Sequence, residues 1–382
     1  MKKILLISLV AVLCGSCRTE KGKNHNFYDS IPNRSCENIE IKNPLVLDTL
    51  IFDGKYSSME GSFFILRDTV FMADPAVQAI LAFDKNGKYL GQKVRRGAGP
   101  DELVGVNTAS ARGDGCVVID NNWTVSVFDK NWHRTHSFEI DWAPKQSLKD
   151  RQNNPDPEDS GIYELEYYKP LVHAYGDSSL LIHITTENPL LNAYQGPGVD
   201  KFYNEAYSIG QISLSTRKVE KLLCPYPPLY SNYKYLPTFK NQLFDTRGDK
   251  LYYSFEADPQ IYCYNIHTSE IFSFGNPGKN METKYPEYHN AEDTDANYSD
   301  DREKYGFYSY LKCDPINNLI FRGYRKGENL PDGLQIYSGD CLIGDVEVPR
   351  GFEIIGYSAP WYYAYGNSDF EQENMTFYRF KL

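Results

Sequence analysis

Three segments of this chain are copies of one another, and that repetition constrains the fold more than any other feature. "RDTVFMADPAVQAILAFDKNGKYLGQKV" (67–94), "GDGCVVIDNNWTVSVFDKNWHRTHSFEI" (113–140) and "RGDKLYYSFEADPQIYCYNIHTSEIFSF" (247–274) share one order: an acidic turn, a strand, a short loop, a strand, a turn, a strand. The second strand of the first two copies ends in Phe-Asp-Lys-Asn, and Asn265 replaces the Asp in the third. The strands either alternate or are apolar over five or six residues, as half-buried and fully buried strands do. A looser copy occupies 175–185 and resumes at 207–223, and another runs from 311–327 to 334–348. Each is preceded by one more strand candidate, such as "GSFFILR" (61–67) or "YGFYSYL" (305–311).

Four antiparallel strands per unit, at a period of roughly 45 to 70 residues, make a propeller blade. The 31 Tyr and 20 Phe residues, punctuated by 28 Gly and 21 Pro, agree with an all-β chain. The ends complete the count. "GFEIIGYSAPWYYAYG" (351–366) supplies two strands and "MTFYRFKL" (375–382) a third. The missing fourth is "IKNPLVLDTLIF" (41–52), so the N-terminal strand is expected to close the last blade and remove the ring's open edges. The expectation is an all-β, six-bladed propeller with four-stranded blades over 41–382.

"FMADPAVQAILAFDKNGKYL", "RGAGPDEL" and "VVIDNNWTVSVFDKN" resemble the blades of TolB-like six-bladed β-propeller lipoproteins, which are similar to NHL-type propellers. The resemblance covers 41–382 and is strongest in the first two blades. It implies the fold, and by analogy a protein-binding role. The abundance of Tyr and Asn resembles lipoproteins of Bacteroides-type bacteria.

The N-terminus bears on the compartment. Lys2 and Lys3 precede an apolar run of ten residues (4–13), far short of the about 20 needed to span a bilayer. "CGSC" (14–17) follows, and with small Gly15 and Ser16 before Cys17 it resembles a bacterial lipobox, which implies lipid on Cys17. Arg18 stands where a sorting Asp would hold a lipoprotein in the inner membrane, so the outer membrane is expected. The signal then spans 1–17, and the polar stretch 18–40, poor in aliphatic residues, reads as a flexible tether. Removing Lys2 and Lys3 takes the formal net charge from −11 to −13. No basic cluster longer than a pair stands out, which argues against nucleic acid, and a monomer is expected. Cys36, Cys116, Cys224, Cys263, Cys313 and Cys341 permit disulfides outside the cytoplasm, but their spacing gives no connectivity.

If strands A to D run outward in each blade, the B–C and D–A loops gather on one face around the channel mouth. That face receives Asp74, Arg96, Asp120, Asn121, Trp123, Glu187, Glu256, Arg325 and Asp369. Converging carboxylates and amide oxygens can hold Ca²⁺, although a strand-ending Asp such as Asp74 or Asp120 commonly accepts hydrogen bonds from its own turn instead. His133 and His136 fall on opposite faces of a strand, and His173 and His183 read as hydrogen-bonded structural residues. No nucleophile elbow, HExxH or metal-spaced Cys/His set is present. Two long acidic inserts, 141–168 and 289–306, are the loops most apt to carry function.

"RRGAGPDELVG" (95–105) looks like a phosphate loop, but no helix follows it. It reads as a D–A crossover in which Gly97 and Gly99 permit a positive-φ turn and an acid pairs with Arg95 or Arg96. Two functions compete. One is a lipid-anchored binding scaffold for a protein or glycan. The other is a metal-dependent hydrolase or lyase of the gluconolactonase-like or NHL type, with oxygen ligands from Asp74, Asp120, Asn121, Glu187, Glu256 and Asp369. The lack of a catalytic motif favours binding.

Overall fold

The structure is a computed structural model that describes residues 27–194, 198–233, 236–327 and 329–382. Cys17 lies outside them. Two strands precede the first blade: β1 (Cys36–Ile41) and β2 (Asp48–Asp53). Blade 1 follows with β3 (Ser62–Leu66), β4 (Thr69–Asp74), β5 (Ala79–Phe83) and β6 (Tyr89–Val94). Blade 2 has β7 (Thr108–Arg112), β8 (Gly115–Ile119), β9 (Thr124–Phe128) and β10 (Arg134–Glu139). A short β11 (Glu164–Leu165) leads into blade 3, built from β12 (Val172–Tyr175), β13 (Ser179–Thr185), β14 (Tyr207–Ser213) and β15 (Val219–Pro225). Blade 4 has β16 (Gln242–Arg247), β17 (Lys250–Phe255), β18 (Ile261–Asn265) and β19 (Ile271–Phe274). Blade 5 has β20 (Phe307–Asp314), β21 (Leu319–Arg325), β22 (Asp332–Ser338) and β23 (Cys341–Val348). Blade 6 has β24 (Glu353–Ser358), β25 (Trp361–Asp369) and β26 (Asn374–Phe380), with β2 as its outer strand. Helices are few: α1 (Leu148–Asn153), α2 (Val199–Glu205), α3 (Pro228–Tyr233) and α4 (Ala291–Lys304), all in loops between strands. Among the described residues no helix is long and apolar enough to cross a membrane.

Burial explains the patterning. The middle strands β5 (AILAF), β8 (GCVVI) and β13 (SLLIHIT) are buried at every position, because each lies within a blade sandwiched between two others. The outer strand β6 (YLGQKV) is mostly open. Six apolar clusters fill the gaps between successive blades. The repeated Phe-Asp-Lys-Asn is turn chemistry. Asp84 Oδ1 accepts from the N–H groups of Asn86 (2.8 Å) and Lys88 (3.0 Å), and Asp129 Oδ1 from those of Asn131 and His133 (2.9 Å each). Asn265 replaces them without loss, since its Oδ1 accepts from His267 and Thr268 (2.9 and 3.0 Å).

The ring closes as the sequence predicts. β2 pairs antiparallel with β26 from Asp48↔Arg379 to Asp53↔Asn374, and Phe52 stacks on Phe377 at 4.0 Å. The segment ahead of β2 behaves differently from the tether expected over 18–40. From Phe27 onward it lies along the outer edges of blades 3 to 5. Tyr28 is buried and donates its hydroxyl to the Pro225 carbonyl, Asn33 bridges Ser273, and β1 adds a parallel fifth strand to β23. A Cys36–Cys341 disulfide fastens that strand. Sheet-edge hydrogen bonds and one covalent link order a stretch whose composition offers little apolar surface.

The 95–105 crossover is a joint, with a different use for its glycines. Neither Gly97 nor Gly99 has a positive φ. They make room: a Cβ at Gly97 would sit 1.9 Å from Glu102 Oε2. Glu102 receives Arg95 Nε at 2.8 Å and the Gly99 N–H at 2.9 Å, while Asp101 accepts from the Arg134 N–H of blade 2 at 2.8 Å.

Candidate functional site

The inner strands β3, β7, β12, β16, β20 and β24 surround a channel of about 1240 Å³. Most of the mouth residues expected to converge on it are instead bound within their own turns. Buried Asp74 accepts from the Ser58 N–H (2.6 Å) and hydroxyl (2.8 Å) and from the Ala76 and Val77 N–H groups (3.1 and 2.9 Å). Asp120 accepts from Asn122 and Thr124 (2.8 and 2.9 Å), and Asp369 from Glu371 and Gln372 (3.1 and 3.0 Å). Asn121 donates to Gln78 at 3.3 Å, Glu187 receives Asn192 at 3.4 Å, and Arg325 pairs with Asp332 at 3.3 Å. Trp123 is half-buried against Trp142, and Arg96 is exposed, with a backbone bridge to Leu103. These carboxylates do not assemble a metal site: among the described residues no three His, Cys, Asp or Glu side chains are placed to share an ion.

Glu256 is the exception. It is fully buried, at the B–C turn of blade 4, and two inserts bring cations to it. Arg302, in the last turn of α4, grips it twice, NH1 to Oε2 and NH2 to Oε1, both at 3.0 Å. Lys169 Nζ lies 3.0 Å from Oε1, and the Asn241 side chain donates to Oε2 at 3.0 Å. Burial alone would raise this carboxyl, but Arg302 and Lys169 outweigh it and bring its pKa to about 2.

The same clamp sets the rim. Tyr168, beside Lys169, meets Tyr298 of α4 edge to face with centroids 6.0 Å apart, and Tyr298 lies one helical turn before Arg302. The 166–169 stretch is pinned from below. Glu166 accepts the Tyr168 N–H at 2.9 Å and buried Lys240 at 2.9 Å, and its pKa falls to about 2 because Lys240 and His183 overcome the burial that would raise it. Burial lowers the His183 pKa against the pull of Glu166, and the ring bonds the Lys169 carbonyl through Nδ1 at 3.0 Å. So fixed, Tyr167 and Tyr168 stay 65% and 56% exposed at the channel mouth. Two adjacent open tyrosines on a pinned segment present a fixed aromatic face to solvent.

Deeper in the channel, polar side chains share one level. Ser110, His173, Asp245 and Lys312 each stand two residues before the end of the inner strand of blades 2, 3, 4 and 5. Their cross-strand partners are Val117, Leu181, Tyr252 and Phe321. Asp245 takes the N–H groups of Thr246 (2.7 Å) and Cys313 (3.0 Å), with His173 Nδ1 at 3.2 Å and Lys312 Nζ at 3.5 Å. Burial opposes the Asp245 charge, but Lys312 and His173 hold its pKa below the ordinary value. Burial lowers that of His173 against the pull of Asp245. Glu353, at the start of β24, opens to the channel, and among the described residues no side chain hydrogen-bonds it. The protein packed around the channel raises its carboxyl pKa, with Lys169 and Lys312 acting against that rise.

Of the residues expected at the mouth, the structure centres the site on Glu256 alone. Tyr167, Tyr168, Lys169, Arg302, Asp245, Lys312 and Glu353 were not anticipated, and His173, read as structural, faces the channel. A signal for the inner set exists. Aligning the copies on the A–B turn, where Gly113, Gly176 and Gly248 all take φ near +55°, puts Ser110, His173 and Asp245 in one column.

No family model and no curated protein matches the chain. Solved structures do. A member of the DUF4221 family from Bacteroides vulgatus aligns at 14% identity over 89% of this chain and 98% of its own, with a TM-score of 0.67. A candidate exported protein from Bacteroides fragilis aligns at 13% identity over 92% and 100%, with a TM-score of 0.52. At such identities the shared property is the fold: this chain is a six-bladed propeller with structural neighbours in Bacteroides.

Proposed function

We propose that the chain is a binding propeller of the cell envelope, tethered through lipid on Cys17, that receives a protein or glycan partner at the B–C/D–A mouth. One observation carries this reading. Glu256 spends its charge on Lys169 and Arg302, and in doing so holds Tyr168 and Tyr298 together at an open rim. A buried carboxylate clamped by two cations from separate inserts organises a surface; it has no free oxygen for a metal. Asp74, Asp120 and Asp369 likewise spend carboxylate oxygens on backbone N–H groups of their own turns, which favours binding over the metal-dependent hydrolase reading.

The envelope location draws support from the basic and apolar N-terminus, from the Cys36–Cys341 disulfide, which suits an oxidising compartment, and from the B. fragilis neighbour described as exported. The TolB-like resemblance of the first two blades adds a precedent for protein binding. The test is capture from detergent-solubilised envelope by the immobilised chain and by a Tyr167→Ala/Tyr168→Ala variant. We expect a component retained by the parent and lost by the variant. Equal retention by both, or none by the parent, would refute the reading. Separately, Cys17→Ala should abolish palmitate incorporation; labelling that persists would remove the lipid anchor from the account.

A further inference from the structure

The level shared by His173, Asp245 and Lys312 is not needed to close the ring. Blades 1 and 6 put Phe64 and Gly356 at the corresponding positions, two residues before their inner strands end. Blades 2 to 5, with Ser110 the smallest of the set, therefore place polar groups where apolar or absent side chains also serve. The groups keep spare valences. Lys312 has three donors and meets Asp245 only at 3.5 Å, and its side chain is 26% exposed. His173 has Nδ1 beside Asp245, and among the described residues its other ring nitrogen has no hydrogen bond. Among the described residues Glu353 has no hydrogen-bond partner, on a channel that it lines together with Lys312 and His173.

These spare valences describe a ligand. Donors and acceptors are both free, so a ligand must offer both. Asp245 and Lys312 nearly cancel in charge, and the chain around them is acidic, so the ligand need not be an anion. Hydroxyl groups, each donor and acceptor at once, fit this mixture. The route inward passes Tyr167 and Tyr168, whose exposed rings suit the apolar C–H faces of a sugar. The channel, at about 1240 Å³, exceeds the roughly 300–1,000 Å³ of ordinary ligand pockets and has room for several sugar rings.

We propose that the channel is a saccharide site, in which His173, Asp245, Lys312 and Glu353 hydrogen-bond the hydroxyls of a neutral oligosaccharide end that enters past Tyr167 and Tyr168. This inference rests on the binding reading above and names its ligand class. Catalysis is not required of these residues; they read the chain end, while the rim holds the units that follow.

The full mature chain is first screened on an array of neutral and acidic glycans, and the best neutral oligosaccharide is then titrated by calorimetry. We expect a neutral glycan to be retained. Glu353→Gln, which breaks no ion pair, should weaken it about tenfold at unchanged melting temperature, as should Lys312→Arg, which keeps the charge near Asp245. Tyr168→Ala should weaken it several-fold. Binding that is indifferent to both channel variants overturns the proposal, as does retention of acidic glycans alone. Retention of no glycan, with envelope capture still dependent on Tyr167 and Tyr168, overturns the saccharide site and leaves the binding reading standing. Loss of both fails the two together.

Discussion

Glu256 shows how one carboxylate can be placed correctly by its sequence and yet have its role hidden. Its position at a B–C turn follows from the blade repeat, and so does its presence at the mouth. Its partners do not, because Lys169 and Arg302 lie 87 and 46 residues away in sequence, one just after an insert and the other inside one, with no repeat to align. The energetics follow from burial. Glu256→Gln leaves two cations facing a neutral amide, and breaking a buried pair in this way costs roughly 3–5 kcal/mol. Urea unfolding at pH 7 should show that loss, and a variant as stable as the parent would contradict the clamp. The pH dependence has a definite sign. The folded-state pKa of about 2 lies below the ordinary 4.5, so the stabilisation is complete above pH 4.5 and is lost as the pH falls towards 2. The gap between parent and Glu256→Gln should therefore narrow between pH 4.5 and 2. Glu166, also near 2, should add to the parent's acid sensitivity in the same window.

At the level of elements, the strands were the most legible part. Turn residues such as Asp84, Asp129 and Asn265 recur because in these C–D hairpins one side-chain oxygen accepts two backbone N–H groups. The inner strands were less so, since their polar residues differ from blade to blade and become a set only when the A–B turns are superimposed. The N-terminal edge strand was missed for a physical reason. β1 (CENIEI) buries no residue fully and gains its order from the edge of β23 and from Cys36–Cys341. A disulfide of this kind typically contributes about 2–4 kcal/mol. Cys36→Ser should lower stability by that order without loosening the ring, because β2 still closes blade 6. Hydrogen exchange should then show β1 unprotected and β26 protected; exposure of β26 would contradict the separation of latch from closure. In the 95–105 crossover, Gly97→Ala should push Glu102 away from Arg95 and cost about 1 kcal/mol, as an overpacked site does.

For the whole molecule, closure is what turns six similar blades into one site. The six inter-blade clusters make each blade depend on two neighbours, and β2 ties the last blade to the first segment of the body. Removing residues through 41 should leave a cooperative transition at reduced temperature, whereas removing residues through 55 should abolish it; calorimetry distinguishes the two. The channel and its rim exist only in the closed ring, with rim residues from the loops before blades 3 and 5. The most direct measurement of the central claim is photo-crosslinking in intact envelopes, with a benzophenone amino acid at Tyr168 or, on the opposite face, at Asn131. The account predicts a discrete adduct from position 168 and none from 131. An adduct from 131 with none from 168 would place the partner on the other face and contradict it.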